Sequence, residues 1–328
     1  MPKKIGVLLT NTGTPDAPTT SAVRRYLREF LSDPRVVKIP RLAWLPILYL
    51  LILPFRSSKS AALYQKIWTN QGSPMRLLMR ELASKTQTAL QQSGYAIAIE
   101  VGMNYGNPSI TSALEKLREQ QIDELIVLPL YPQYSNTTTA SSFDHVVDAL
   151  QSWPALPGIK MIRDYASHPD YIAALAASAR AFWEAQGDRH HLLISFHGLP
   201  KRFAEAGDPY PQQCEQTAQL LAAALNLKAD QWTLCYQSQF GYDKWLQPST
   251  QTLINTLPQQ GTKAVDVICP GFSVDCLETL EEVAKRGKED FLTAGGTQLR
   301  MIPALNDGAL HIDLLKEMIL QTPQSTNH

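Results

Sequence analysis

The feature that most restricts the fold of this chain is a series of short apolar runs that alternate with helical patterns. Each run ends in a polar or Gly/Pro-rich loop: "IGVLLTN", "AIAIEVGMNY", "ELIVLPLYPQYS", "IKMIRDY", "HLLISFHG", "WTLCYQSQFG" and "AVDVICPGF". The runs are continuous rather than alternating in polarity, which is typical of strands buried on both faces of a parallel sheet. Helical segments such as "PMRLLMRELASKTQTALQQ" lie between them. This order of strands and helices predicts a doubly wound α/β fold.

The Pro- and Gly-rich stretch "SWPALPGIK" separates the first group of runs from the second. A length of 328 residues is enough for two domains of ordinary size. We therefore predict two similar α/β domains, residues 1–156 and 157–328, that enclose a cleft. Sheets of this kind bind ligands at the carboxyl ends of their strands, so the functional side chains are expected there.

Composition excludes several classes of protein. The 30 basic and 30 acidic residues cancel, which removes any general argument for nucleic-acid binding. The first apolar run is too short for the core of a secretory signal, and no stretch reaches the length of a membrane span. The 4 cysteines show no CxxC spacing. Reduced cysteines are typical of the cytoplasm, which is the expected location.

The segment Leu42–Phe55, "LAWLPILYLLILPF", does not fit the alternation. It has no charged residue and lies between Arg41 and Arg56. As a helix it would be about 21 Å long, shorter than the roughly 30 Å core of a bilayer. One interpretation is a buried helix or hairpin. The other, which Trp44 and Tyr49 favour, is an exposed apolar lip that contacts a membrane surface or a flat apolar ligand.

The stretch Ser273–Glu282, "SVDCLETLEE", carries four carboxylates and one thiol directly after a predicted buried strand. On an α-helix with about 100° per residue, Asp275, Glu278 and Glu282 lie on one side. The opposite side is then formed by Leu277, Leu280 and Ala284. By itself this pattern is typical of an amphipathic helix with a solvated acidic face.

His197 ends another predicted strand and is followed by Gly198. A single histidine at such a position is more often structural than functional. If its strand is next to the strand that precedes Glu278, however, an imidazole and a carboxylate face one cleft. Such a pair can bind a divalent metal or move protons near neutral pH. Aromatic residues at the same strand ends suit a large planar ligand: Tyr105, Tyr131, Tyr134, Phe240, Tyr242 and Trp245.

Several blocks of the sequence resemble the signature blocks of ferrochelatases. They are "LPLYPQYSNTTTASS", "ISFHGLP", "GDPYPQQC", "YQSQFGYDKWLQPST" and "CPGFSVDCLETLEE", and the resemblance runs in order along nearly the whole chain. The family has two Rossmann-like domains. Its members are lyases that insert Fe²⁺ into a porphyrin at the end of haem biosynthesis. The resemblance therefore implies protoporphyrin IX and ferrous iron as substrates and the release of two protons.

The resemblance also implies roles for particular residues. His197 and Glu278 match the catalytic and metal-handling residues of the family, and Asp275 and Glu282 match an acidic path beside them. The residues that match porphyrin-binding positions are Thr12, Arg56, Ser73, Tyr105, Tyr131 and Trp245. Leu42–Phe55 matches the apolar lip at the mouth of the porphyrin pocket.

Two departures from the family pattern are informative. Cys276 stands where many members have a histidine, and it is either a soft substitute ligand or simply a small residue. Asn136 stands where some members have a cysteine that binds an iron–sulfur cluster, so we expect no cluster and no permanently bound cofactor, as in Gram-negative members. We also expect a monomer, with a peripheral contact of the lip with the inner face of the membrane left open. A cobalt chelatase, a non-catalytic haem carrier and a coproporphyrin substrate remain alternatives.

Overall fold

A computed structural model describes residues 3–240 and 243–321 of the chain. Its parallel strands are β1 (Ile5–Thr14), β2 (Ile97–Gly106), β3 (Glu124–Pro129), β4 (Gly158–Met161), β5 (His191–His197), β6 (Trp232–Gln237), β7 (Ala264–Ile268) and β8 (Gln298–Met301). They form two sheets of 4 strands, so the predicted α/β fold is confirmed.

The helices follow the strands in the expected alternation. They are α1 (Thr20–Ser32), α2 (Arg41–Ile47), α3 (Leu53–Ile67), α4 (Pro74–Gln92), α5 (Ile110–Glu119), α6 (Thr139–Leu150), α7 (Pro169–Gln186), α8 (Lys201–Glu205), α9 (Tyr210–Ala224), α10 (Thr250–Thr256), α11 (Lys288–Thr293) and α12 (Ala309–Gln321). Two segments are π-helices, Leu48–Ile52 and Glu278–Gly287, and Ala229–Gln231 forms a short 3₁₀ turn.

The chain divides into two compact units. The first contains the described residues up to Leu130, Asn136–Asp164 and those from Asp307 onward, and its sheet has the order β2-β1-β3-β4. The second contains Tyr131–Ser135 and Tyr165–Asn306, and its sheet has the order β6-β5-β7-β8. The two sheets therefore have the same topology, and each core consists of buried strand residues covered by helices, as continuous apolar runs predict.

The predicted boundary between residues 156 and 157 assigns two elements to the wrong unit. β4 pairs in parallel with β3, so it completes the first sheet. α12 packs on α4, where Lys85 forms an ion pair with Asp307, and it also belongs to the first unit. The Pro- and Gly-rich stretch is only the connection between α6 and β4, because an open sheet edge, not the composition of a loop, determines where the next strand pairs.

The apolar lip lies on a helical segment that runs from Arg41 to Ile67 through α2, a π-helical turn and α3. Several of its large side chains are strongly exposed, with Leu42 at 94%, Leu50 at 71% and Phe55 at 69%, whereas Leu48 and Leu53 are buried and anchor the segment. The interpretation as an exposed lip is confirmed, and the buried helix is wrong. In the described part of the chain, no helix is both long and apolar enough to span a bilayer.

Candidate active site

His197 is the last residue of β5, which pairs with β6 on one side and with β7 on the other. The strand of His197 is therefore a neighbour of the strand that precedes Glu278, as the site hypothesis requires. The imidazole Nδ1 lies 2.7 Å from the Gly198 carbonyl oxygen. A carbonyl oxygen can only accept, so Nδ1 carries the proton and Nε2 of the neutral ring keeps its lone pair. This is the tautomer that a base or a metal ligand needs.

Gly198 allows the ends of β5 and β6 to approach closely. Its N–H donates to the Gln237 carbonyl oxygen at 2.7 Å. A Cβ atom at this position would lie 2.6 Å from the same oxygen, which is closer than any ordinary contact. The absence of a side chain at residue 198 therefore sets the position of the histidine before it.

The acidic stretch forms a π-helix, Glu278–Gly287, rather than the predicted α-helix. Because a π-helix bonds residue i to residue i+5, the α-helical assignment of faces is wrong. Thr279, Val283 and Gly287, four residues apart, are buried together with Glu281. The residues expected on the buried side are only half-buried: Leu277, Leu280 and Ala284. Glu278 is the first residue of this π-helix.

Glu282 is held by the residue that follows β6. Its Oε1 accepts the Ser238 N–H at 2.7 Å, and its Oε2 accepts the Ser238 hydroxyl at 2.7 Å. Ser238 has a φ of 61°, a left-handed conformation that is uncommon outside glycine and that functional sites often contain. Burial raises the pKa of Glu282 and the negative charge of Glu278 raises it further, whereas the hydrogen bonds of Ser238 lower this pKa, as does His197 when its imidazole is protonated. The pKa of Glu282 thus responds to two other predicted site residues, Glu278 and His197.

Asp275 has a different environment. It is buried, and its two oxygens accept hydrogen bonds from the Thr279 hydroxyl and from Asn306 Nδ2, both at 2.8 Å. Its N–H donates to Asn306 Oδ1 at 2.8 Å. These contacts fix the chain directly before the π-helix. A part for Asp275 in an acidic path stays a prediction.

Cys276 is a buried thiol beside Glu278. Burial, followed by the charge of Glu278, raises the pKa of this thiol well above its ordinary value. At neutral pH the group is therefore protonated in the structure described. Across residues 3–240 and 243–321, no three or more His, Cys, Asp or Glu side chains are arranged as a metal-binding cluster.

The predicted porphyrin-binding residues of the first unit make internal contacts. The Tyr105 hydroxyl donates to Asp33 Oδ2 at 2.6 Å, and its ring is buried. The buried Ser73 hydroxyl lies 2.9 Å from the Thr14 hydroxyl. Each side chain is fixed by its own unit, and a contact with a ligand stays a prediction.

Thr12 and Arg56 are half-buried residues of the same unit. The Thr12 N–H donates to Asn11 Oδ1 at 2.8 Å, close to the carboxyl end of β1. Burial lowers the pKa of the Arg56 guanidinium. A ligand contact of either residue stays a prediction.

Trp245 and Tyr131 belong to the second unit and are buried. The indole N–H of Trp245 donates to the Phe240 carbonyl oxygen at 3.0 Å, and the two rings lie 5.1 Å apart. Tyr242 lies outside the described residues. Porphyrin contacts of this group stay predictions.

Sequence reasoning did not assign a role to the two residues that connect these elements, Gln237 and Ser238. Gln237 Nε2 donates to the Glu278 carbonyl oxygen at 3.0 Å. The available signal was the polar sequence "QSQ" at the end of an apolar run, where a buried strand meets the carboxyl edge of its sheet.

Solved structures with a similar backbone include SirB from Bacillus subtilis with Fe³⁺. It has a TM-score of 0.55 and 10% identity, over 97% of this chain and 95% of that chain. The sirohydrochlorin chelatase SirB from Bacillus subtilis subspecies spizizenii, in complex with cobalt, has a TM-score of 0.55 and 9% identity over the same shares. At this identity the similarity concerns the fold, and it agrees with two domains of the chelatase type.

The family model described as Ferrochelatase matches residues 4–322. The ferrochelatase of Aeromonas hydrophila is 48% identical over 319 residues, which cover 97% of this chain and 98% of the relative. The ferrochelatase of Methylococcus capsulatus is 52% identical over 312 residues, 95% of this chain and 94% of the relative. Ferrochelatase 1 of Shewanella oneidensis is 50% identical over 321 residues, 98% and 96% of the two chains. With similarity of this extent along its whole length, the chain belongs to the ferrochelatase family.

Proposed function

We propose that this chain is a lyase that inserts Fe²⁺ into protoporphyrin IX, and that His197 and Glu278 carry out metal transfer and proton acceptance. Membership of the ferrochelatase family makes it an enzyme that inserts a metal ion into a porphyrin. The observation that supports the residue assignment is geometric: His197 ends β5, which pairs with β7, the strand that precedes Glu278. Glu282 belongs to the same π-helix as Glu278 and is held by Ser238 after β6.

Metal insertion makes three physical demands. Two pyrrole N–H protons must leave, the ring must bend to expose its nitrogen lone pairs, and the metal ion must lose water. Bending a stiff aromatic ring costs several kcal/mol, and burial of about 200 Å² of apolar surface contributes about 5 kcal/mol against it. The protein must then supply a metal ligand and a proton acceptor next to the ring.

The second unit supplies both kinds of group. His197 keeps the Nε2 lone pair available, because its Nδ1 proton is donated to the Gly198 carbonyl. Nitrogen and carboxylate donors together suit ferrous iron. Glu282 lies behind Glu278 along the π-helix, and burial brings its pKa upward, toward the range in which a carboxyl group exchanges protons at neutral pH. Protons accepted by Glu278 thus have a second carboxyl group to move to.

The test is anaerobic conversion of protoporphyrin IX with Fe²⁺ or Zn²⁺, followed by absorbance. The wild type is compared with His197→Ala and Glu278→Ala. We expect both variants to bind porphyrin and to lose about 100-fold or more in kcat, the usual size of a lost acid–base group. Glu289→Ala, an exposed acid on α11, is the matched control and should retain full activity.

The outcomes separate the alternatives. Wild-type protein that binds porphyrin without metallating it would support a carrier. Variants that retain activity would remove His197 and Glu278 from the site. A parallel series with coproporphyrin III tests the substrate, and we expect the higher kcat/KM for protoporphyrin IX.

We also propose that the enzyme has no iron–sulfur cluster and no permanently bound cofactor, iron being a substrate. Asn136, at the position of a cluster cysteine in some members, accepts a hydrogen bond from Arg35 Nη1 at 2.7 Å. Arg35 also binds Asp144 through two bonds of 2.7 and 2.9 Å. A polar network thus occupies this position. Analysis of purified protein for iron and acid-labile sulfide tests the proposal, and a stoichiometric amount of both would contradict it.

We propose a cytoplasmic monomer whose lip makes a peripheral contact with an anionic membrane. In support, residues 34–80, which include the exposed lip, contain no acidic residue and 8 basic ones. Apolar side chains next to basic charge are the combination that binds anionic lipid surfaces.

Co-sedimentation with phosphatidylcholine vesicles, with and without phosphatidylglycerol, tests this contact. We expect binding that increases with phosphatidylglycerol and is lost in a Leu50→Ser, Phe55→Ser variant. Leu156→Ser, which changes a leucine with 61% exposure outside the lip, is the control. Equal binding by all three proteins would contradict the contact, and sedimentation velocity would test the monomer.

A further inference from the structure

Gln237, the last residue of β6, is a buried glutamine with only 2% exposure. Its Nε2 donates to the Glu278 carbonyl oxygen at 3.0 Å. Its Oε1 accepts the Ser195 hydroxyl at 2.8 Å and the Cys269 thiol at 3.4 Å. One side chain thus connects β5, the end of β7 and the π-helix.

The partners determine the orientation of this amide. A backbone carbonyl only accepts hydrogen bonds, so the amide NH₂ must face Glu278. The Ser195 hydroxyl and the Cys269 thiol then donate to the amide oxygen. Ser195 also lies 2.8 Å from the hydroxyl of Thr250, the first residue of α10, which ties the network to a further element.

The backbone around Gln237 contacts the rest of the site. Its carbonyl oxygen accepts the N–H of Gly198, the residue after His197, at 2.7 Å. The next residue, Ser238, holds both oxygens of Glu282. Gln237 and Ser238 thus form hydrogen bonds with Gly198, the residue next to His197, and with Glu278 and Glu282 themselves.

We propose that Gln237 is a positioning residue for metal insertion, which fixes Glu278 relative to His197 through the backbone of the π-helix. The proposal rests on the proposed function, because it concerns the same reaction. The amide bonds the backbone carbonyl of Glu278 and not its carboxylate, so Gln237 neither transfers a proton nor binds metal. Its contribution is geometric, and a displacement of about 1 Å in a reacting group can cost about 100-fold in rate.

Gln237→Met is the sharpest test. It keeps the approximate length of the side chain and removes both the donor to the Glu278 carbonyl and the acceptor for Ser195 and Cys269. We expect kcat to fall about 10- to 100-fold, with the KM and Kd for porphyrin unchanged within about twofold. A kcat within about threefold of the wild type would overturn the proposal.

Gln133→Met is the matched control for the cost of losing a buried amide. Gln133 is also 2% exposed, belongs to the same unit, and donates its Nε2 to the Thr217 hydroxyl at 3.0 Å. We expect a similar fall in Tm and an unchanged kcat. An equal loss of kcat in both variants would show a general effect of lower stability and overturn the specific role.

Ser195→Ala provides an independent route in case Gln237→Met does not fold. It removes one of the two donors that orient the amide while keeping the amide itself. A reduced kcat with unchanged porphyrin KM is expected, and an unchanged kcat would overturn the proposal. Failure of the proposed function itself would appear differently, as a wild type that does not metallate porphyrin.

Discussion

The hydroxyl of Ser238 provides a direct test of the charges in the candidate site. Ser238→Ala removes the 2.7 Å bond to Glu282 Oε2 and leaves the backbone bond to Oε1 in place. A hydrogen bond to a charged group contributes about 1.5–3 kcal/mol. The loss is larger for the ionised carboxylate than for a protonated Glu282, because a neutral carboxyl group forms a weaker hydrogen bond. The stability cost of the substitution should therefore depend on pH.

The direction of this dependence follows from the pKa of Glu282. Burial raises this pKa above its ordinary value of 4.5, and the Ser238 bonds counteract the rise. A carboxyl group with a raised pKa in the folded state contributes stability below the ordinary value, and this contribution is lost as pH rises through the folded pKa. Ser238→Ala raises the pKa of Glu282 in the folded state further. Above pH 4.5 the variant therefore loses more stability than the wild type.

The assay is urea unfolding of both proteins at several values between pH 5 and pH 8. We expect the difference in free energy of unfolding to increase with pH and to reach about 1.5–3 kcal/mol when Glu282 is ionised in both proteins. Thr217→Val is the control, because the Thr217 hydroxyl bonds only neutral groups, the Ala166 carbonyl and the Gln133 amide. A constant difference for Ser238→Ala across this range would refute the argument.

Three further predictions concern stability and reactivity. Arg300→Met should lower the free energy of unfolding, measured in urea, by about 3 kcal/mol, because the fully buried Asp266 loses two hydrogen bonds of 2.7 and 3.0 Å. A loss below about 1 kcal/mol would contradict this prediction. Gly198→Ala should lower kcat and cost about 1–3 kcal/mol, because its Cβ would meet the Gln237 carbonyl at 2.6 Å, and wild-type values would contradict it. All four cysteines are buried, and burial raises the pKa of each thiol. A disulfide reagent should therefore modify no cysteine in the native protein at pH 8 and all four in guanidinium. Rapid labelling of the native protein would contradict this expectation.

Much of the fold is visible in the sequence because burial on both faces of a sheet requires continuous apolar runs. β1 and β5 are such runs, and both lie in the interior of their sheets. β8 was not predicted, because it has only 4 residues, "QLRM", and forms at the free edge of β7. Its existence depends on a partner far away in the chain, which a local pattern does not contain.

The lip illustrates a feature that local composition does determine. A segment without charge, too short to span a bilayer and rich in leucine, must either be buried or form an apolar surface. The bracketing residues Arg41 and Arg56 and the interfacial residues Trp44 and Tyr49 were sufficient to favour the surface. The exposure of Leu42 and Phe55 agrees.

The candidate site shows where sequence and tertiary structure divide. The sequence alone determined which side chains lie at strand ends, His197 among them, because parallel strands deliver their carboxyl ends to one edge. It did not determine the helix that carries Glu278, since α- and π-helices use the same residues and differ only in which carbonyl each N–H reaches. Tertiary contacts accompany that choice: Gln237 bonds the carbonyl of Glu278, and Asn306 holds Asp275 before the helix. Such long-range hydrogen bonds exist only after the strands have paired, and so the tertiary structure decided how the acidic residues are arranged.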